Sequence, residues 1–248
     1  MARVFNGSNQ FLFNTSINPD YGPKSFALWF YKDALSADKW VMTQANGVGN
    51  YAGLRALSTG YVRSYWRGGD TLYIESSNTY SATSWNHIGG TWGFKRVTGI
   101  YLNGVGVTGS LYSNGAETNN LSIGAYYAGT GSNSGWFDGK IAWAAGWNVE
   151  LDATDFAALA AGISPLLIRP DALYYFAPLG WLDGNNDEDI VGAKTLTAYN
   201  SPTWSDDSPA GLIYPSQQII GVSQGIITPA VQYIPRQIKI QNQRLILK

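Results

Sequence analysis

Three adjacent acidic residues, Asp187, Glu188 and Asp189, stand in the stretch LGWLDGNNDEDIVG at 179–192, in a chain whose charged residues make up only 13% of the total. Carboxylates and the neighbouring Asn185 and Asn186 could offer oxygen to a hard cation such as calcium. Consecutive residues of a strand or turn point in different directions, however, so adjacency alone does not build a cage. Asp187 and Asp189 are therefore weak metal candidates, joined by Asp138 in an FDG turn. No cofactor is expected, calcium being the one ion worth testing.

Other reactive constellations are scarce. There is no cysteine, so thiolate metal sites, disulfides and a cysteine nucleophile are excluded. The single histidine, His87 in WNHIGG, has no G-x-S-x-G elbow to serve. Retaining glycoside hydrolysis needs two carboxylates roughly 5 Å apart, and the four glutamates, Glu75, Glu117, Glu150 and Glu188, are dispersed. The chain is not expected to be an enzyme. Aromatics are the abundant resource, at 14% of residues. Tyr65 and Trp66 in RSYWRGG, with Tyr126 and Tyr127 in AYYAG, are candidates for stacking on sugar rings. The competing use of such residues is to fill a core or a subunit interface.

The elements that would position these residues are strands. Period-two alternation and turn punctuation dominate up to about residue 148. FALWFYK (26–32), WVMTQ (40–44), YAGLRAL (51–57), YVRSYW (61–66), TLYIES (71–76), LSIGAYY (121–127) and GKIAWAAGWN (139–148) all suit a pleated, half-buried surface. In GIYLNGVGV, Asn103-Gly104 between apolar runs predicts a type I′ hairpin. One helix is predicted over 151–162, with Asp152 as N-cap, Asp155 in the first turn and Gly162 just past the end. Beyond it ALYYFAP and KTLTAYN read as strands, which places the acidic run in the loop between them.

Charge is unevenly spread. Residues 1–207 hold 12 basic and 17 acidic residues, a net of −5; residues 208–248 hold Arg236, Lys239, Arg244 and Lys248 and no acid, a net of +4. The overall −1 argues against a general nucleic-acid partner, and no apolar run approaches the ~18 residues of a membrane span. No signal-peptide pattern opens the sequence, which suggests synthesis in a cytoplasm. The last forty residues, rich in proline and ending in QIKIQNQRLILK, read as an extended arm. Ile238, Ile240, Leu245 and Leu247 alternate with polar and basic residues as on an edge strand. A free segment of that kind would aggregate, so a partner strand from another chain is expected to cover it.

VFNGSNQFLF, SFALWFY, WNHIGGTW, YLNG, LSIG and FDGKIAWAAGWN, in that order and followed by the predicted helix, resemble the concanavalin A-like, laminin G-like jelly rolls. Such domains occur in lectins, extracellular modules and many tailed-phage structural proteins. The resemblance spans roughly residues 3–162. The run LYYFAPLGWLDGNNDEDIVGAKTLTAYNSPTW at 173–204 resembles a unit that in many relatives precedes the first of these strands, so the order is circularly permuted here. The resemblance implies an all-β antiparallel sandwich over 1–204 with one short helix, closed by 173–204, and an extended C-terminal arm over 205–248. It also implies calcium in some relatives, and the catalytic E-x-D-x-E run of the jelly-roll glucanases, which this chain lacks. The function expected from these features together is a virion structural protein, specifically a capsid decoration protein forming a homotrimer and docking on a phage capsid protein through its arm. The alternative is a carbohydrate-binding, lectin-like module.

Overall fold

A computed structural model of the chain describes residues 1–17, 24–46, 50–68, 70–112, 120–127, 133–180, 186–209, 211 and 213. Met1–Pro215 forms one compact unit. Ser216–Lys248 lies outside the described residues, and with it the expected arm residues Arg236, Ile238, Lys239, Ile240, Arg244, Leu245 and Leu247.

In chain order the strands begin with β1 (Ala2–Asn6), β2 (Phe11–Asn14), β3 (Lys24–Lys32), β4 (Lys39–Asn46), β5 (Asn50–Ala56), β6 (Val62–Gly68) and β7 (Thr71–Glu75). There follow β8 (Trp85–Gly93), β9 (Arg96–Leu102), β10 (Val105–Tyr112), β11 (Asn120–Ile123), β12 (Tyr126–Tyr127), β13 (Asn133–Ser134) and β14 (Asp138–Trp147). Helix α1 (Ala153–Ala160) precedes β15 (Leu173–Ala177), β16 (Asp187–Glu188), β17 (Thr195–Tyr199) and β18 (Thr203–Ser205).

These strands make an antiparallel sandwich. The first sheet runs β10-β9-β8-β3-β14-β1-β18, with β15 also on β14; the second runs β16-β17-β2-β11-β4-β5-β6-β7. The late segment contributes to both. β15 extends along β14 beyond the reach of β1, β18 flanks β1, and β17 pairs with β2 through Thr197–Phe13 and Tyr199–Phe11. β14 bulges between Ala142 and Ala145. There Trp143 takes φ 54°, an outlier for so bulky a residue, and its N–H donates to the Pro178 carbonyl at 3.1 Å.

Alternation along the strands sorts side chains between faces. Leu54, Trp66, Phe26, Phe30, Trp92 and Ile141 meet between the sheets in the main core. The other face of the first sheet carries Trp143, Trp147 and Phe176 under α1. Phe156 of α1 stacks on Tyr101 with ring centroids 4.1 Å apart. This contact explains part of the HIGGTW run, since a Cβ on Gly89 would sit 2.1 Å from the Phe156 ring.

Local chemistry forms α1 and the main hairpin as expected. Asp152 accepts the N–H groups of Thr154 and Asp155 at 2.8 and 2.9 Å, and the Asp155 carboxylate accepts the Asp152 N–H in return. Asn103 and Gly104 both have positive φ, 50° and 82°, and join Leu102 to its partner Val105.

Candidate functional site

The acidic run does structural work. Asp187 is buried and ion-paired with the equally buried Arg3, and it accepts the Gly180 N–H at 2.7 Å. The same guanidinium donates to the carbonyls of Asn186 and Pro202, each at 3.1 Å. Asp189 accepts three backbone N–H groups, from Phe176, Val191 and Gly192, at 2.9–3.0 Å. Burial pushes its carboxyl above the usual range against the pull of those donors. Glu188 between them faces solvent. Asp138 accepts from the Ser36 hydroxyl at 3.1 Å and lies 3.8 Å from the Lys32 ammonium. Among the described residues no three potential metal ligands of the His, Cys, Asp and Glu types come together.

The other reactive types are equally committed. His87 is 1% exposed and lies edge-on to Trp29, with centroids 5.4 Å apart. Burial pushes its imidazole down to about 3, so it is neutral at pH 7. Glu75 pairs with Arg63 at 2.6 Å and Glu150 with Arg96 at 3.6 Å.

The four sugar-stacking candidates do not share a surface. Tyr65 and Trp66 are successive residues of β6 and therefore face opposite ways. Trp66 points into the main core, where it is 4% exposed, and this corrects its reading as a surface platform. Tyr65 points outward but is also only 4% exposed, because Trp40 and Tyr73 flank it at 5.1 and 5.5 Å. Tyr126 and Tyr127 likewise diverge. The hairpin of β12 and β13 abuts β11 and β4, and its two tyrosines join different aromatic groups on the outer face of the second sheet. Tyr127 joins Phe11 and Phe13, at 5.3 and 5.1 Å, in a group that also holds Trp136 and the half-exposed Tyr199.

Tyr126 joins Trp40, Tyr51 and Tyr65 in the other group. The Tyr51 ring is 5.3 Å from Trp40 and 5.1 Å from Tyr126, and the Trp40 backbone N–H donates to the Gly135 carbonyl just after β13. Between the hairpin and β4–β6 a cleft of about 370 Å³ opens, walled by Trp40, Tyr51 and Tyr126 and rimmed by Arg55, Arg67 and Asn133. Cross-strand pairing fixes this set: Tyr51 stands opposite Arg67, and Arg55 opposite Arg63. Arg55 lies over the Trp40 ring at 5.2 Å, and one of its terminal nitrogens is 3.7 Å from Asp38. Burial opposes ionisation of Asp38, yet the Ser58 N–H and hydroxyl with Arg55 hold that carboxyl below the usual range. Burial raises the hydroxyls of Tyr51 and Tyr126, so both remain protonated donors. Two cleft-lining polar atoms, Arg55 Nε and Asn133 Oδ1, are buried without a hydrogen-bond partner. Unmet groups of this kind are costly and suit a site that a polar ligand completes.

Of this cleft only Tyr126 had been singled out by sequence. The signal for the rest was the alternation itself: Tyr51, Gly53 and Arg55 share one face of β5, and Arg63, Tyr65 and Arg67 the same face of β6. Asn133 carried no comparable signal.

Comparison with known proteins follows the fold. The laminin G-like sequence family described as the concanavalin A-like lectin/glucanases superfamily matches residues 5–157. A search of curated proteins found no match. Among solved structures, a Bacteroides ovatus protein assigned to carbohydrate binding superposes with a TM-score of 0.58 at 17% identity, over 82% of this chain. This chain spans 61% of that protein's length. The heptameric SAP-like pentraxin of Limulus polyphemus superposes with a TM-score of 0.55 at 12% identity, over 81% of this chain and 95% of the pentraxin.

Proposed function

The chain belongs to the concanavalin A-like lectin/glucanases superfamily, and on that premise we propose that it is a non-catalytic carbohydrate-binding module whose ligand enters the cleft between the β12–β13 hairpin and β4–β6. One observation carries the reading: aromatic walls meet buried, unpartnered polar atoms, Arg55 Nε and Asn133 Oδ1, in one open cleft. Apolar walls with a few convergent polar groups are the general make-up of small-ligand sites, and about 370 Å³ falls at the lower end of the ~300–1,000 Å³ they occupy. A short saccharide, with apolar C–H faces and many hydroxyls, matches both parts. The assignment of the Bacteroides ovatus protein to carbohydrate binding agrees with this reading. Hydrolysis finds no support, because the cleft lining holds no carboxylate, and Glu75 and Glu150 are ion-paired with Arg63 and Arg96.

The test is a glycan array probed with the full chain. At least one saccharide class should be retained, and Asn133→Ala, which removes a cleft-lining acceptor without entering the core, should reduce that retention about tenfold. If no saccharide is retained, the reading is wrong.

A second reading, a virion structural protein, rests on the resemblance to tailed-phage structural proteins, with residues 208–248, which carry four basic residues and no acid, as its arm. That segment would dock the module as a homotrimer on a virion, against a capsid or other virion protein. Co-sedimentation of the full chain, but not of a 208–248 deletion, with particles would support it.

A further inference from the structure

We propose that the saccharide is acidic, with its carboxylate or sulfate seated between Arg67 and Arg55. The inference rests on the glycan-binding reading and goes beyond it by naming the charge of the ligand.

Three arginines lie on the outer face of β5 and β6, and they differ in how far the protein satisfies them. Arg63 is matched: its guanidinium meets Glu75 at 2.6 Å and the Tyr65 hydroxyl at 3.2 Å, and it does not line the cleft. Arg55 is partly matched, with Asp38 at 3.7 Å and a buried Nε that has no hydrogen-bond partner. Arg67 is hydrogen-bonded to the Tyr51 hydroxyl, but no carboxylate among the described residues is paired with it. The two less satisfied guanidiniums are the two that line the cleft, and its lining contains no carboxylate. A neutral sugar would leave that excess of positive charge unanswered.

The surroundings favour an anion further. The cleft walls are rings of Trp40, Tyr51 and Tyr126, which keep water from screening the guanidiniums fully. Tyr51, directly across from Arg67, keeps its proton and can donate to the same oxyanion. A planar guanidinium matches carboxylate or sulfate with two parallel N–H bonds, which fixes orientation as well as adding affinity. The chain as a whole has a net charge of −1, so general electrostatics would not draw an acidic glycan to it. Recognition would have to be local, at these residues.

The experiment uses the full chain on an array of neutral saccharides, carboxylated saccharides (uronate-containing and sialylated) and sulfated oligosaccharides, followed by calorimetry on the strongest hit. Expected hits are acidic, and the class retained tells carboxylate from sulfate. Arg67→Gln should weaken the hit about tenfold or more and Arg67→Lys less, while Arg63→Gln leaves it unchanged. Raising salt from 0.05 to 0.5 M should weaken wild-type binding (~Debye screening) and have less effect on Arg67→Gln. Thermal melts check that each variant is folded, and the salt series on the wild type stands whatever the variants do. Neutral hits only, or acidic hits indifferent to both Arg67→Gln and salt, overturn the inference while leaving the glycan reading in place. An array with no hits overturns the glycan reading and this inference with it.

Discussion

Arg3, in the first strand, and Asp187, in the short strand β16, form a fully buried ion pair that ties residues separated by most of the chain. Arg3 adds bonds to the Asn186 and Pro202 carbonyls, and Asp187 one from the Gly180 N–H, so the pair holds the late segment against β1. Removing one partner strands the other charge in a dry site. Asp187→Ala should therefore cost about 3–5 kcal/mol, whereas Glu188→Ala, on an exposed side chain between the two aspartates, should stay within ~0.5 kcal/mol. Urea unfolding at pH 7 separates them, and equal losses would show that the pair is not the clasp.

The same bonds argue against a calcium role for this run. Asp187 is occupied by Arg3 and a backbone N–H, and Asp189 by three backbone N–H groups. A cation would have to displace them. The melting temperature is expected to be the same in millimolar calcium and in EDTA, because only a ligand that favours the native state raises it. A saturable rise with calcium would reinstate the site.

His87 gives a pH signature. Its folded value of about 3 lies below the ordinary 6.5, because burial disfavours the charged ring. The unfolded chain then binds the proton more readily. The contribution is complete above pH ~6.5 and is lost as pH falls from there toward 3, at up to ~1.4 kcal/mol per pH unit. The chain has one histidine, so its ring resonances in an NMR titration are unambiguous. They should not move between pH 8 and 5, and a midpoint near 6.5 would refute the burial argument.

What was legible in the sequence follows from how local its cause is. The Asn103-Gly104 turn and the Asp152–Asp155 capping box depend on residues a few positions apart, and both form as read. The fold class was readable because β-branched and aromatic runs between turn signals mark the strands, although β4, β8 and β14 are buried on both faces and burial alternates along few of them. The cleft was not, because it depends on register. Tyr51 meets Arg67 only through the β5–β6 pairing, and Tyr126 meets Trp40 only because the hairpin after β11 turns back over the sheet. That Tyr65 and Trp66 could not both stack from one surface follows from alternation alone, which the sequence already displayed.

That alternation yields a paired test. Trp66 is in the main core with Leu54 and Trp92, while Tyr126 walls the cleft. Trp66→Phe removes an indole whose N–H has no partner, so it should cost only about 1–2 kcal/mol of stability and leave saccharide affinity unchanged. Tyr126→Leu removes a cleft wall and a hydroxyl donor, and should weaken binding about tenfold. Chemical denaturation and calorimetry on both variants give the comparison. If Trp66→Phe loses affinity while remaining folded and Tyr126→Leu does not, the ligand binds somewhere other than the outer face of the second sheet.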